Sequence, residues 1–375
     1  MARVAVPGFV GGSGKVRSRR ADVERTVNFY LERADGNSPA GDPYFIGTPG
    51  IQPFVNLLAG SVRCLFYEST YRRLFAVGGS GFYEVYANRT IILRGVVAVD
   101  ENPATISSNG LGGHQLFITS GGHGYIFDLN VETFGEITDD GFNTPTIMGL
   151  FTDGYFLSLY PGGFQLSSLE DGLEWDGLDV AQVSQAADTP IAMGLSHREV
   201  WLWGTKTTNP WYDSGNGSFP FEPIQGGFVE IGIAAPFAFA NLDNTLYWLT
   251  ENQNGAREVV RANGYAAQRV STHAVEFALN QAPNLVGALM FAQQDEGHAF
   301  LWLLVPSLST TWVYDVSTQA WHERALWNPE TSIQFEPHPA RNHAYCYNTH
   351  LVGDRSTGVI YEMRLDLYAD DLVVP

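Results

Sequence analysis

The chain has 375 residues, enough to bury a sizeable core, with 40 Gly, 19 Pro and 13% aromatic residues but only 16% charged ones; this is the usage of a turn-rich β protein with little helix. Its formal charge of −19 argues against a surface built to wrap nucleic acid, because affinity for phosphate needs clustered Lys and Arg. No run of about 18 apolar residues occurs, and the stretch Met1–Arg20 has no continuous apolar segment, so neither a membrane span nor a secretory leader is expected and synthesis in a cytoplasm is.

The charge is unevenly placed. Residues 1–33 hold seven basic side chains, Arg3, Lys15, Arg17, Arg19, Arg20, Arg25 and Arg33, against three acidic ones, so the rest of the chain stands at −23. Residues 1–25 therefore read as a flexible basic arm, either a solvated tail or a docking arm for an acidic partner. The "GGSG" of Gly11–Gly14 before Lys15 lacks the spacing and strand-helix setting of a phosphate loop and reads as a linker. Residues 26–56 offer a strand able to help close a ring, and residues 26–375 read as one β domain.

From there the chain repeats. Apolar anchors at Val62, Ile106, Ile147, Ile191, Ile233, Leu289 and Ile333 each precede a strand-turn-strand pattern: "RLFAVGG" then "GFYEVY", "QLFITSGG" then "GYIFDL", and so on to "HAYCYNTH" then "GVIYEM". Strand content at spacings of roughly 40–50 residues is the mark of a β-propeller with one four-stranded blade per repeat. The expected fold is thus an all-β propeller of six or seven blades; a pair of β-sandwiches is the alternative. One longer spacing, between Ile233 and Leu289, contains "STHAVEFALNQAPN", whose apolar positions Ala274, Val275, Phe277 and Ala278 predict a short inserted helix. Cys64 and Cys346 lie inside strand-like runs without metal-ligand spacing and read as small buried hydrophobes.

No constellation of catalytic residues stands out. Asp128, Asp315 and Glu362 fall at equivalent places after aromatic strands, and recurrence of that kind suits turn residues. "SSLEDGLEW", Ser167–Trp175, has the outline of a sialidase-type Asp-box hairpin, itself a structural turn, with Glu170 and Glu174 replacing the usual Asp and Thr. The nine histidines form no metal-ligand set, and no Gly-x-Ser-x-Gly elbow occurs. No enzyme activity, cofactor or metal is expected from these residues.

Several stretches in chain order resemble the packaged-DNA stabilisation, tail-hub or head-completion proteins of short-tailed double-stranded DNA bacteriophages. They are "VNFYLERADG" with "YFIGTPGIQPF", "SSLEDGLEWDGLDVAQ", "LWGTKTTNPWYDSGNGSFPFEPIQGGFVEIGIAAP" at 202–236, "LYWLTEN", "WVYDVSTQAW" and "VGDRSTGVIYEM". The resemblance implies a structural virion protein: a homohexameric ring in the tail, assembled in the host cytoplasm. Such a ring lies below the portal and its adaptor proteins, extends the DNA channel with transient contact to the genome, and holds a tail needle, tailspike or fibre. Family members continue into a further β segment where this chain stops at Pro375, which leaves that attachment open.

An acidic wall suits a conduit, since it repels a polyanion. Candidate partner contacts are the basic Lys15, Arg17, Arg19, Arg20 and Arg25 of the arm, and the aromatics Trp211, Tyr212, Phe219 and Phe221 near one loop, because Trp and Tyr anchor interfaces; packing within a blade is the competing role for Trp211 and Tyr212. The alternative function is a propeller carbohydrate-active enzyme or glycan-binding module, with two carboxylates from different blades at the bottom of a pocket. A general interaction scaffold in a cell is the third.

Overall fold

A computed structural model describes residues 10–14, 24–33, 43–183, 188–327 and 335–372. The strands assemble into seven antiparallel sheets, each a blade. Blade 1 comprises Val62–Glu68, Arg73–Gly78, Gly81–Val85 and Ile91–Val96; blade 2, Thr105–Ser108, Gln115–Ser120, His123–Asp128 and Phe134–Glu136; blade 3, Met148–Thr152, Tyr155–Tyr160, Gly163–Ser168 and Asp171–Gln182. Blade 4 comprises Ala192–Ser196, Glu199–Trp203, Thr208–Asp213 and Phe221–Pro223, and blade 5, Phe239–Leu242, Thr245–Glu251, Arg257–Asn263 and Ala266–Arg269. Blade 6 comprises Leu289–Asp295, His298–Leu304, Thr311–Asp315 and Ala320–Trp327, extended by Phe335–Pro337.

Blade 7 is built from both ends of the chain. Ala340–Cys346, Thr349–Asp354 and Val359–Arg364 are completed by Gly50–Asn56, which pairs antiparallel with Val359–Arg364. The first strand of every blade packs on the first strands of both neighbours, so the seven close a complete ring around the axis. The blade number expected as six or seven is therefore seven. Of the repeat anchors, Ile233 lies in the crossover before blade 5, and Ile333 falls outside the described residues.

Local chemistry explains the regularity. In blades 3 to 7 the first hairpin closes with two residues that both take positive φ: Asp153-Gly154, His197-Arg198, Asp243-Asn244, Glu296-Gly297 and Tyr347-Asn348. Turns of this hand match the twist of the flanking strands. The second strands of blades 1 to 6 carry fully buried aromatics, Phe75, Phe117, Phe156, Trp203, Trp248 and Trp302, each contributing about 1.5–3 kcal/mol by burial. The predicted insertion is a helix, His273–Gln281, that buries Ala274, Val275 and Leu279. Thr272 caps its start by accepting from Val275 N, and Arg257 caps its end by donating to the carbonyls of Leu279 and Ala282 at 2.9 and 2.6 Å. Among the described residues no helix is long and apolar enough to cross a membrane. Cys64 is half-buried and Cys346 buried, both free, and burial pushes each thiol up to about 12.

The arm departs from expectation where it is described. Ser13 N donates to Trp321 O at 2.6 Å, and Val27 bridges Glu323 in parallel. The Asn28 amide both donates to Ala325 O and accepts from Ala325 N, at 2.8 and 2.9 Å. Residues 10–14 and 24–32 thus lie against the outer strand of blade 6 and cover its edge, and Phe29–Glu32 then pairs with Tyr44–Gly47. An uncovered edge strand leaves a row of unpaired backbone groups, and the first segment of the chain satisfies these.

Candidate functional site

The sequence nominated contact residues in two places, and the structure redistributes them. Arg25 is committed within the chain: its guanidinium forks onto Glu323, with Nη2 2.8 Å from Oε2, and stands 4.8 Å from the Phe335 ring. Glu323 is buried and also accepts from Ser13 and Thr310 at 2.7 and 2.8 Å. A buried carboxylate needs this many donors to offset its desolvation, so Arg25 serves the arm-blade contact and is not free for a partner. Lys15, Arg17, Arg19 and Arg20 lie outside the described residues.

Among the aromatics, Trp211 is buried against Phe164 with ring centroids 5.3 Å apart. Phe221 is buried against Phe164 and Tyr155, and Phe219 is half-buried on the same Phe164 ring. These three are packing residues of the seam between blades 3 and 4. Tyr212 alone, 42% exposed, points outward. The run "NPWYD" is a strand, so adjacent Trp211 and Tyr212 must take opposite faces; the larger indole takes the seam.

The repeated acidic residues separate into two kinds. Asp128 accepts from the amides of Asn130 and Val131, and Asp315 from Ser317 N and the Thr318 hydroxyl, as turn residues do. Glu362 does not: it sits within the strand Val359–Arg364 and bonds the Gln52 amide while lying 3.6 Å from Arg89. The Asp-box-like hairpin is structural too, with Trp175 buried and its Nε1 donating to Gly172 O at 2.8 Å.

Clefts that could serve chemistry are answered from within the chain. One of about 450 Å³ lies between the tips of blades 4 and 5, lined by Trp201, Tyr265, Glu199, Arg261 and Asp243. Its Glu199 is taken by Tyr265 OH at 2.6 Å and Trp201 Nε1 at 3.3 Å, and that bond together with burial pushes the Tyr265 phenol up to about 12. A larger cleft of about 790 Å³ runs between Gly11–Gly14 and blade 6, reaching Arg33, His273 and Trp321. Among the described residues its lining contains no Asp or Glu. Among the described residues no cluster of three His, Cys, Asp or Glu could hold a metal ion.

What the structure exposes is apolar surface that the sequence reading did not nominate. The outer strand of blade 1 turns Ile92, Leu93 and Val96 to solvent, Val96 at 64%. Blade 3 adds Leu169, Leu173 and Leu178, the last at 86%. On the opposite arc, the hairpin beside blade 6 exposes Phe29 and Tyr44, and the blade's own Trp327. The signal was present in "TIILRGVVAV", where apolar residues occupy both phases of a strand: one phase must then face outward.

Comparison with known proteins follows the same lines. A phage-stabilisation family model described as bacteriophage P22 Gp10, β-propeller, matches residues 13–368. No curated protein sequence matches the chain. Solved structures share the fold at low identity: virginiamycin B lyase from Staphylococcus aureus has a TM-score of 0.54 at 9% identity, over 84% of this chain and 99% of that one. The extracellular domain of a proposed one-component system from B. thetaiotaomicron has a TM-score of 0.54 at 10% identity, over 84% of this chain and 40% of that one. YCF48 from Cyanidioschyzon merolae has a TM-score of 0.50 at 10% identity, over 84% of this chain and 98% of that one. The chain thus spans about two fifths of the first of these extracellular structures in length, and such likenesses speak for fold alone.

Proposed function

The chain belongs to the phage-stabilising β-propeller family of bacteriophage P22 Gp10, and on that premise we propose that it is a subunit of a tail-hub ring. It is a structural component of the virion. In the proposed role six copies form a ring below the portal and its adaptor, prolong the DNA channel, retain the packaged genome until ejection and hold the distal tail parts. The observation that carries this reading is the family match, which runs through nearly the whole propeller.

Two physical features support it. The charge of −19 lets a polyanion pass a wall without sticking. A cyclic ring needs two different patches per subunit, because its contacts are head-to-tail. Blades 1 to 3 offer an aliphatic one, at Leu93, Val96 and Leu178, and the blade 6 side offers an aromatic one, at Phe29, Tyr44 and Trp327. Exposed apolar side chains of this size are the material of protein interfaces. In this role the protein holds and does not react.

Quantitative mass spectrometry of washed phage particles tests the proposal, with this chain counted against the portal protein. Six copies per particle are expected. Absence from washed particles, with the protein left in the soluble lysate, removes the tail-hub reading and turns attention to the Trp201/Tyr265 cleft and glycan-binding assays.

A further inference from the structure

Blade 6 turns a face toward blade 7 on which Phe300 and Trp302, Val313 and Thr311, and His322 and Arg324 stand side by side on successive strands. Cross-strand pairing sets this arrangement: Trp302 lies opposite Val313, Val313 opposite His322, and Thr311 opposite Arg324. Residues paired in this way, or two apart on one strand, share a face. Across the seam lie apolar residues of blade 7, including Val352, Tyr361 and Met363.

Arg324 is 1% exposed. Its guanidinium stacks 4.3 Å from the Trp302 ring and 5.5 Å from Phe300, and its one side-chain contact of hydrogen-bond type is Nη1 to Met363 Sδ at 3.6 Å. Nε and Nη2 are buried without a partner, as are Thr311 Oγ1 and His322 Nε2 on the same face. No ion pair reaches Arg324 among the described residues. The carboxylates that act on it from a distance are engaged elsewhere: Asp295 pairs with His350, and Asp370 accepts from Ile51 N. Burial pushes the guanidinium down to about 9, which still leaves it charged at neutral pH. Burying such a cation unpaired is costly, and stacking on one indole offsets only part of that cost.

The chemistry of the unpartnered atoms selects the occupant. A guanidinium N–H only donates, whereas a threonine hydroxyl can donate or accept and a neutral imidazole can present its N–H at Nε2. Water could satisfy these groups in part but would leave the guanidinium charge uncompensated. Orphaned side-chain acceptors of the described residues that only accept lie elsewhere, such as Glu170 Oε2 in blade 3 and Asn342 Oδ1 beside Val62 on the blade 1 side of blade 7. A ligand that only accepts, carries one negative charge and is small enough for a packed seam meets all the requirements.

We propose that the seam between blades 6 and 7 binds a small monovalent anion of the halide class, held by Arg324 with His322 and Thr311. The Tyr30 ring, 6.3 Å from His322, stands over the site, so the anion sits beneath the first hairpin and next to the blade that closes the ring. Bound there, it stabilises the closure by neutralising the one buried guanidinium without an ion pair across that seam.

Two readouts on the full chain test this. Crystals soaked in sodium bromide should give a bromine anomalous peak within hydrogen-bond distance of Arg324; a water-sized peak with no anomalous signal overturns the proposal. Unfolding in sodium bromide against sodium gluconate at equal ionic strength should show the folded-to-unfolded ratio rising up to tenfold per tenfold halide once the site is half filled. Arg324→Met should abolish that dependence and Thr311→Val should weaken it. The Thr311 variant and the bromide crystal keep the test intact where Arg324→Met does not fold. Equal halide dependence in wild type and both variants marks a general salt effect and also overturns the proposal.

Discussion

All nine tryptophans of the chain fall in blades 3 to 6, whereas among the described residues the large exposed aliphatic side chains, Val286 and Leu372 apart, lie between Leu58 and Leu178. The same four-stranded unit is therefore used in two ways. From the seam between blades 3 and 4 to the seam between blades 5 and 6, large aromatics including Phe164, Trp211, Trp248 and Trp321 join one continuous cluster, with Trp201 and Trp203 packed on Trp248. From blade 7 through blade 2 the core is divided into smaller clusters. There the seam between blades 1 and 2 is crossed by a charged network as well: buried Glu84 is clamped by Arg73 and Arg94, which both reach Glu132 of blade 2. The seam between blades 4 and 5 is thus packed with indoles, while blades 1 to 3 and the outer edge of blade 6 keep large apolar surface to offer.

The largest expected effect lies at the indole-packed seam. Trp248→Ala should cost about 3–5 kcal/mol, the usual price of deleting a buried indole, and lower the urea midpoint of the whole chain. A loss confined to blade 5 would show that the cluster is not continuous.

On the other arc, Arg94→Met leaves Glu84 buried with one cation and should cost about 2–3 kcal/mol, while the double variant Glu84→Leu with Arg94→Met should recover most of it. Denaturation of the three proteins side by side gives the comparison. The same carboxylate predicts acid sensitivity. Burial raises the Glu84 carboxyl, but hydrogen bonds and charge from Arg73 and Arg94 outweigh this and hold it below the usual range. Its contribution is present above the unfolded carboxylate pKa and is lost as pH falls through the lowered folded value.

Smaller effects concern the first segment of the chain. Asn28→Ala removes both bonds to Ala325 and should cost about 1–2 kcal/mol, seen as faster hydrogen exchange at residues 24–32 with the blades unchanged. His298 links that hairpin to blade 6, Nε2 on Glu32 at 2.9 Å and Nδ1 on Asp315 at 2.8 Å, with Tyr30, Phe300 and His322 close by. Burial lowers its pKa, yet the hydrogen bonds and charges of the two carboxylates outweigh burial and raise it. The link is therefore complete below the unfolded histidine value and loosens as pH rises through the raised folded one. Exchange at Phe29–Glu32, corrected for intrinsic rate, should quicken across that window and stay flat in His298→Phe. Smallest of all for folding, Leu93→Glu should change stability by under about 0.5 kcal/mol while abolishing, in sedimentation velocity, the self-association that the proposed ring requires.

Much of this architecture was legible because a propeller repeats. Strand-turn-strand units recur at a nearly fixed spacing, and the helix before blade 6 showed in the apolar spacing of Ala274, Val275, Phe277 and Ala278. Burial at the nominated contacts was only half legible: alternation required that one of Trp211 and Tyr212 be hidden, but the choice depended on Phe164, a residue of another blade. The first segment was illegible for a related reason. Ser13, Arg25 and Asn28 are held by partners about 300 positions away, and no local pattern encodes a contact of that range. Composition alone made that segment look like a solvated basic arm.

The most direct test of the two-arc account is hydrogen exchange on the isolated chain and on the same chain in assembled particles. Protection gained on assembly at Ile91–Val96, at residues 169–178 and at the Phe29–Glu32 hairpin, with blades 4 and 5 unchanged, is the predicted result. Protection gained chiefly in blades 4 and 5, with the aliphatic rim of blades 1 to 3 exchanging as freely as before, would contradict it.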